Sequence, residues 1–105
     1  MINNEEFLQL RVSYIEIGKM VQKYGCGQYN GILRILMGQV KCIDSDENDD
    51  EKLQYLLESY NRLFASRGGL SDFVIYDADI QLRNQLNEKY NNEVNKLWTI
   101  LKNYI

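Results

Sequence analysis

The sequence contains no histidine and no proline, and only two cysteines in 105 residues. Without histidine the chain lacks the commonest general base and the commonest metal ligand, and no Ser-His or Cys-His nucleophile pair can form. It therefore reads as a non-enzymatic protein with no catalytic residue, metal site or cofactor. Cys26 and Cys42 fall at the two ends of one predicted helix, about 24 Å apart at 1.5 Å per residue, and read as free thiols because a disulfide cannot span that distance. Long hydrophobic runs are also missing. The longest, Ile32 to Met37, is interrupted by Arg34 and falls far short of the roughly 20 residues that a bilayer crossing needs. The N-terminus is acidic and polar where a secretory signal needs positive charge and then an apolar stretch, which points to a cytoplasmic protein. Positive charge is scattered as well. The 12 Lys and Arg form no patch and the net charge is -3, so binding to nucleic acid through counterion release is not expected.

What is present is a globular composition, 45% hydrophobic and 26% charged, enough for one core and one domain over residues 1–105. Phe7, Leu10, Tyr14, Ile17, Val21 and Tyr24 recur at spacings of three and four and predict a helix from Asn4 to Tyr24. Asn3 or Asn4 serves as its cap and Gly25 as its stop. Tyr29, Leu33, Leu36, Val40 and Ile43 predict a second helix, in which Gly31 and Gly38, seven apart, read as places of close helix approach. Leu53, Leu56, Leu57, Tyr60, Leu63 and Phe64 predict a third, capped by Asp49 or Asp50 and ended by Gly68-Gly69. Leu82, Leu86, Tyr90, Val94, Leu97, Leu101 and Tyr104 predict a fourth from about Asp79 to Tyr104. No carboxylate falls on a predicted apolar stripe. The expected fold is all-α, a four-helix antiparallel bundle with one long loop at residues 68–79 before the last helix. Within that loop Phe73-Val74-Ile75-Tyr76 is β-prone and alone; it either pairs with its copy in a homodimer or lies across the bundle.

Two features suggest contact with a protein partner. Between the second and third helices, six carboxylates crowd into residues 44–51. Asp44-x-Asp46-x-Asn48 matches the opening of an EF-hand calcium loop, but Asp49 stands where a glycine must turn the chain and Tyr55 where a bidentate Glu is required. The cluster, Asp44, Asp46, Glu47, Asp49 and Asp50, reads better as a surface that steers a basic partner. Of the eight tyrosines, Tyr14, Tyr24, Tyr60, Tyr90 and Tyr104 fall on apolar stripes. Tyr55 and Tyr76 do not, and with Asp72 and Phe73 they are the candidate contact residues. Gly68, Gly69 and Ser71 are read as structuring the loop, as a helix stop followed by an Asx-type turn.

The stretch from Arg62 through Gly68-Gly69-Leu70-Ser71-Asp72-Phe73 to Tyr76, followed by Leu86-Asn87 and a closing amphipathic helix, resembles an uncharacterised family of small bacterial helical proteins. In that family a helix ends in a Gly-Gly-Met-Gly-Ser-Phe-Asn-Asp-Leu type turn before the last helix. Gly68 and Gly69 match the paired glycines, Leu70 stands for the Met, and Ser71-Asp72-Phe73 for Asn-Asp-Leu. The present chain is two residues shorter there and has no third glycine. The resemblance implies an all-helical fold and, by likeness in size and acidity, a protein of the immunity or antitoxin kind. Such a protein neutralises a partner, for instance a toxin, through the acidic loop and residues 73–76. The alternative expectation is a structural homodimer or assembly adaptor.

Overall fold

The spacings of three and four that mark the sequence become four α-helices in the computed structural model, which describes residues 2–64 and 69–105. They are α1 (Asn4–Tyr24), α2 (Asn30–Asp44), α3 (Asp49–Leu63) and α4 (Ile80–Leu101), with 3-10 turns at Leu70–Asp72 and Lys102–Tyr104 and no strand among the described residues. No described helix is long and apolar enough to cross a membrane.

α1, α3 and α4 each start where a side chain can satisfy free helix amides, while α2 follows Tyr29 with no side-chain cap. Asn3 accepts from the Glu6 N–H at 2.9 Å while the Glu6 carboxylate reaches back to the Asn3 N–H, a capping box. Asn48, rather than Asp49 or Asp50, caps α3 by accepting from the Glu51 N–H. Asp79 caps α4 by accepting from Gln81 and Leu82. Gly25 ends α1 in right-handed conformation; the left-handed positions are Cys26 (φ 53°) and Gly27 (φ 75°). Gly25 is nonetheless needed, because a Cβ there would collide with the Val21 carbonyl. Cys26 thus lies in the turn before α2 and not in it, exposed, while Cys42 is half-buried within α2; both are free thiols.

The core forms where the stripes meet. Leu10, Tyr14 and Ile17 of α1, Leu36 of α2, Leu56 and Leu63 of α3 and Leu97 and Leu101 of α4 are all buried. α1 lies between α2 and α4, and α2 packs on α3. Two polar ties fix the ends: Arg11 of α1 holds Asp44 at the close of α2 through two hydrogen bonds of 2.8 and 3.1 Å, and the Tyr104 hydroxyl donates to Glu6 at 2.7 Å. Gly38 does permit a close approach, since the Tyr55 hydroxyl lies 2.7 Å from where its Cβ would be. Gly31 faces open space and serves no packing role.

The core is not wholly apolar. Gln39 is completely buried and both its amide atoms lack a hydrogen-bond partner among the described residues, as does the buried Tyr14 hydroxyl. Burial pushes the Tyr14 phenol well above its ordinary pKa, with the nearby Cys42 and Tyr60 adding to the effect, so it stays neutral. An amide buried without partners costs about 1–3 kcal/mol. Gln39→Met keeps the volume and removes both polar atoms, so a gain of about 1–2 kcal/mol is expected. It should appear as a higher urea midpoint with an unchanged slope; a lower midpoint would mean that the amide is satisfied in solution.

Candidate protein-binding surface

Residues 73–79 form an extended strap between the 3-10 turn and α4, and its burial alternates with the period of two that extended backbone imposes. Phe73 and Ile75 point into the core, Ile75 completely, while Val74 and Tyr76 are 61% and 75% exposed. Phe73 is therefore a core residue and not a contact residue. Its ring meets Tyr29 of the α1–α2 turn edge-on at 5.2 Å and Tyr90 of α4 at 5.1 Å. Tyr90 also donates its hydroxyl to the Leu70 carbonyl at 2.9 Å, and Tyr29 donates to the Asp72 carbonyl at 3.3 Å. Burial raises the Tyr90 pKa, with Tyr29 adding to it, which keeps that donor protonated.

Asn87 does for the strap what a neighbouring strand would do. Its side-chain oxygen accepts from the Ile75 N–H at 3.0 Å and its amide donates to the Ile75 carbonyl at 2.9 Å, with a second donation to the Arg83 carbonyl. The lone β-prone segment thus lies across the bundle with its buried residue held at both backbone groups. Above the clamp Arg83 sits over the Tyr76 ring, 5.1 Å from its centre, a cation–π contact. Val74 and Tyr76 on the strap and Ile80 and Leu82 in the first turn of α4 are exposed at 61, 75, 72 and 40%, large apolar side chains left in solvent at this end of the chain's last helix. Ser71 and Asp72 are exposed in the 3-10 turn, Gly69 precedes it in extended conformation, and Gly68 lies outside the described residues.

The acidic cluster is elsewhere. Asp44 closes α2, and Tyr29, which touches Phe73, precedes the other end of the same helix. A helix of 15 residues is about 22 Å long at 1.5 Å per residue, so the acidic turn and the strap occupy opposite ends of α2. One compact contact surface does not include both. Much of the acidic charge also has local partners. Hydrogen bonding to Arg11 holds Asp44 below the usual carboxylate range, and the hydrogen bond shared with Glu51 pushes Glu47 above it. Asp49, Asp50 and Glu51 sit in the first turn of α3, where the helix dipole favours negative charge. Among the described residues no three Cys, Asp or Glu side chains converge as a metal site. Tyr55 is 38% exposed, with its hydroxyl over Gly38, away from both ends of α2.

No family model, curated protein or solved structure matches this chain. Ile80, Leu82 and Asn87 were not among the sequence candidates, and Val74 was included only as part of residues 73–76, whose period-two alternation carries its signal. Glu93 was also missed: it lies on the buried side of α4, in register with Tyr90 and Leu97, with one carboxylate oxygen 3.0 Å from Lys96 and the other without a partner among the described residues. Trp98, 45% exposed, stacks on Tyr60 at 5.9 Å and so contributes to the α3–α4 seam.

Proposed function

We propose that the protein is a small acidic binding module of the immunity or antitoxin kind, which acts in the cytoplasm and neutralises a partner protein by covering it. The supporting observation is the clamp. Exposed apolar side chains on mobile backbone lose ordering entropy on binding, whereas Val74 and Tyr76 flank a residue already fixed at its N–H and C=O by Asn87, and preorganisation lowers the cost of association. A large exposed aromatic beside aliphatic neighbours is also the usual anchor of a protein interface. The Arg11–Asp44 and Tyr104–Glu6 ties support an antiparallel, up-and-down order of the helices, and the strap is the contact surface in this reading. The acidic turn at the other end of α2 contributes long-range steering and no close contact.

The test is paired capture from native cells, with wild type and the Val74→Ser/Tyr76→Ala variant as baits. A stoichiometric protein held by wild type and lost by the variant is the expected result. Expression of that captured protein alone should then arrest growth, and co-expression with wild type should restore it. A partner retained equally by both baits, or one whose expression is harmless, would remove the reading.

A further inference from the structure

α1 is apolar on two sides. Its buried stripe runs through Phe7, Leu10, Tyr14, Ile17 and Val21, while Leu8, Val12, Ile15 and Lys19 form a second stripe, also spaced by three and four, on the opposite side. Leu8 and Val12 are 60% and 56% exposed. Because α1 lies between α2 and α4, this stripe is a ridge with a groove on each flank. The groove toward α4, about 620 Å³, is lined by Leu8, Val12, Ser13 and Ile100; the groove toward α2, about 370 Å³, is lined by Ile15, Leu33 and the exposed Met37. A ridge between two apolar grooves is the shape that helix packing interdigitates.

We infer that this face joins two copies of the chain, with α1 antiparallel to its counterpart about a two-fold axis through Val12, and each ridge seated in the other's α1–α4 groove. Three observations select a second copy. Shape is one, since ridge and groove on a single face are self-complementary under a two-fold. Charge is the next: Glu5 and Lys19 stand seven residues before and after Val12, so the axis brings each Glu5 to the other copy's Lys19. Glu5 has no ion pair among the described residues, and Lys19 has only a long contact of 3.7 Å to Glu16. Area is the last. α1, with 21 residues, is about 31 Å long, and with a helix spacing of 8–10 Å to each side it offers on the order of 600 Å², close to the roughly 800 Å² per partner of a standard interface.

Sedimentation equilibrium and light scattering across micromolar to submillimolar protein should give twice the chain mass. Val12→Arg, which sets two like charges on the axis at an exposed position, should give a monomer that still folds, with an unchanged circular dichroism spectrum. Glu5→Lys and Lys19→Glu should each weaken the dimer by about tenfold or more, and the double exchange E5K/K19E should restore it, because the two ion pairs re-form with reversed polarity. The Val74→Ser/Tyr76→Ala variant should remain dimeric, which separates this interface from the strap. A monomer throughout the range, a dimer that survives Val12→Arg, or a double exchange no better than either single one would overturn the inference.

Discussion

Asn87→Leu should detach the strap and cost about 2–4 kcal/mol. The substitution keeps the branching of the side chain but removes the acceptor for the Ile75 N–H and the donor to the Ile75 carbonyl. Ile75 is completely buried, so water reaches those two backbone groups only if the strap moves. If it stays, each unpaired group costs about 1–3 kcal/mol; if it lifts, Ile75 and part of the Phe73 contact surface return to water, about 1.5–3 kcal/mol for a side chain of that size. Both routes give a melting temperature lower by roughly 10–20 °C for a domain of this length. Hydrogen exchange distinguishes the clamp from ordinary packing. The Ile75 amide should be slow in wild type and fast in Asn87→Leu, losing more protection than the best-protected α1 amides, which report only the global loss of stability. Asn87→Asp retains the acceptor but sets an anion against the Ile75 carbonyl, so it should protect that amide and still lose stability. A variant that melts with wild type would show that packing alone holds the strap. Because the clamp is also what preorganises Val74 and Tyr76, Asn87→Leu should weaken capture of a partner without altering any exposed side chain.

The helices were legible because their signal is local. A stripe of three-and-four spacing with Asn3 before it and Asp79 before the last one is sufficient to place α1 and α4 to within a residue at their starts. Closely similar cap formers are not separated by sequence: Asn48, Asp49 and Asp50 are all able to accept from helix amides, and the choice of Asn48 depends on which residue first takes extended backbone. The contact surface was less legible because it depends on long-range partners. In residues 73–76 the alternation shows two faces but not which one is buried, and that is decided by Tyr29, 44 residues before Phe73, by Tyr90, 17 after it, and by Asn87, 12 after Ile75, all brought in by helix packing. The separation of the acidic turn from the strap likewise follows from helix order, since a cluster and a loop on either side of one helix look adjacent only on paper. Glu93 and the outward stripe of α1 are different cases. Both are visible in the spacing, but α4 is polar around Glu93 and the inward stripe of α1 is the stronger of its two.

Phe73→Ala and Tyr76→Ala, three residues apart on one strap, should have opposite consequences. Phe73 is 4% exposed between the Tyr29 and Tyr90 rings. Truncation leaves a cavity under the strap and removes two edge-on ring contacts, for an expected loss of about 3–5 kcal/mol. That is a large share of the roughly 5–15 kcal/mol a domain of this size has in total. Tyr76 is 75% exposed, with Arg83 over one side of its ring, and its truncation should leave stability within about 0.5 kcal/mol of wild type. Urea denaturation of the two variants measures this directly, and Phe73→Leu should fall between Phe73→Ala and wild type because it refills part of the cavity. In partner capture the order reverses. Tyr76→Ala should lose the partner while fully folded, and Phe73→Ala should lose it only in proportion to the unfolded fraction, recovering when the protein is cooled or stabilised by Gln39→Met. If Phe73→Ala instead left the urea midpoint unchanged, the ring would be free to face a partner, and the inward alternation of the strap would be wrong at its first residue.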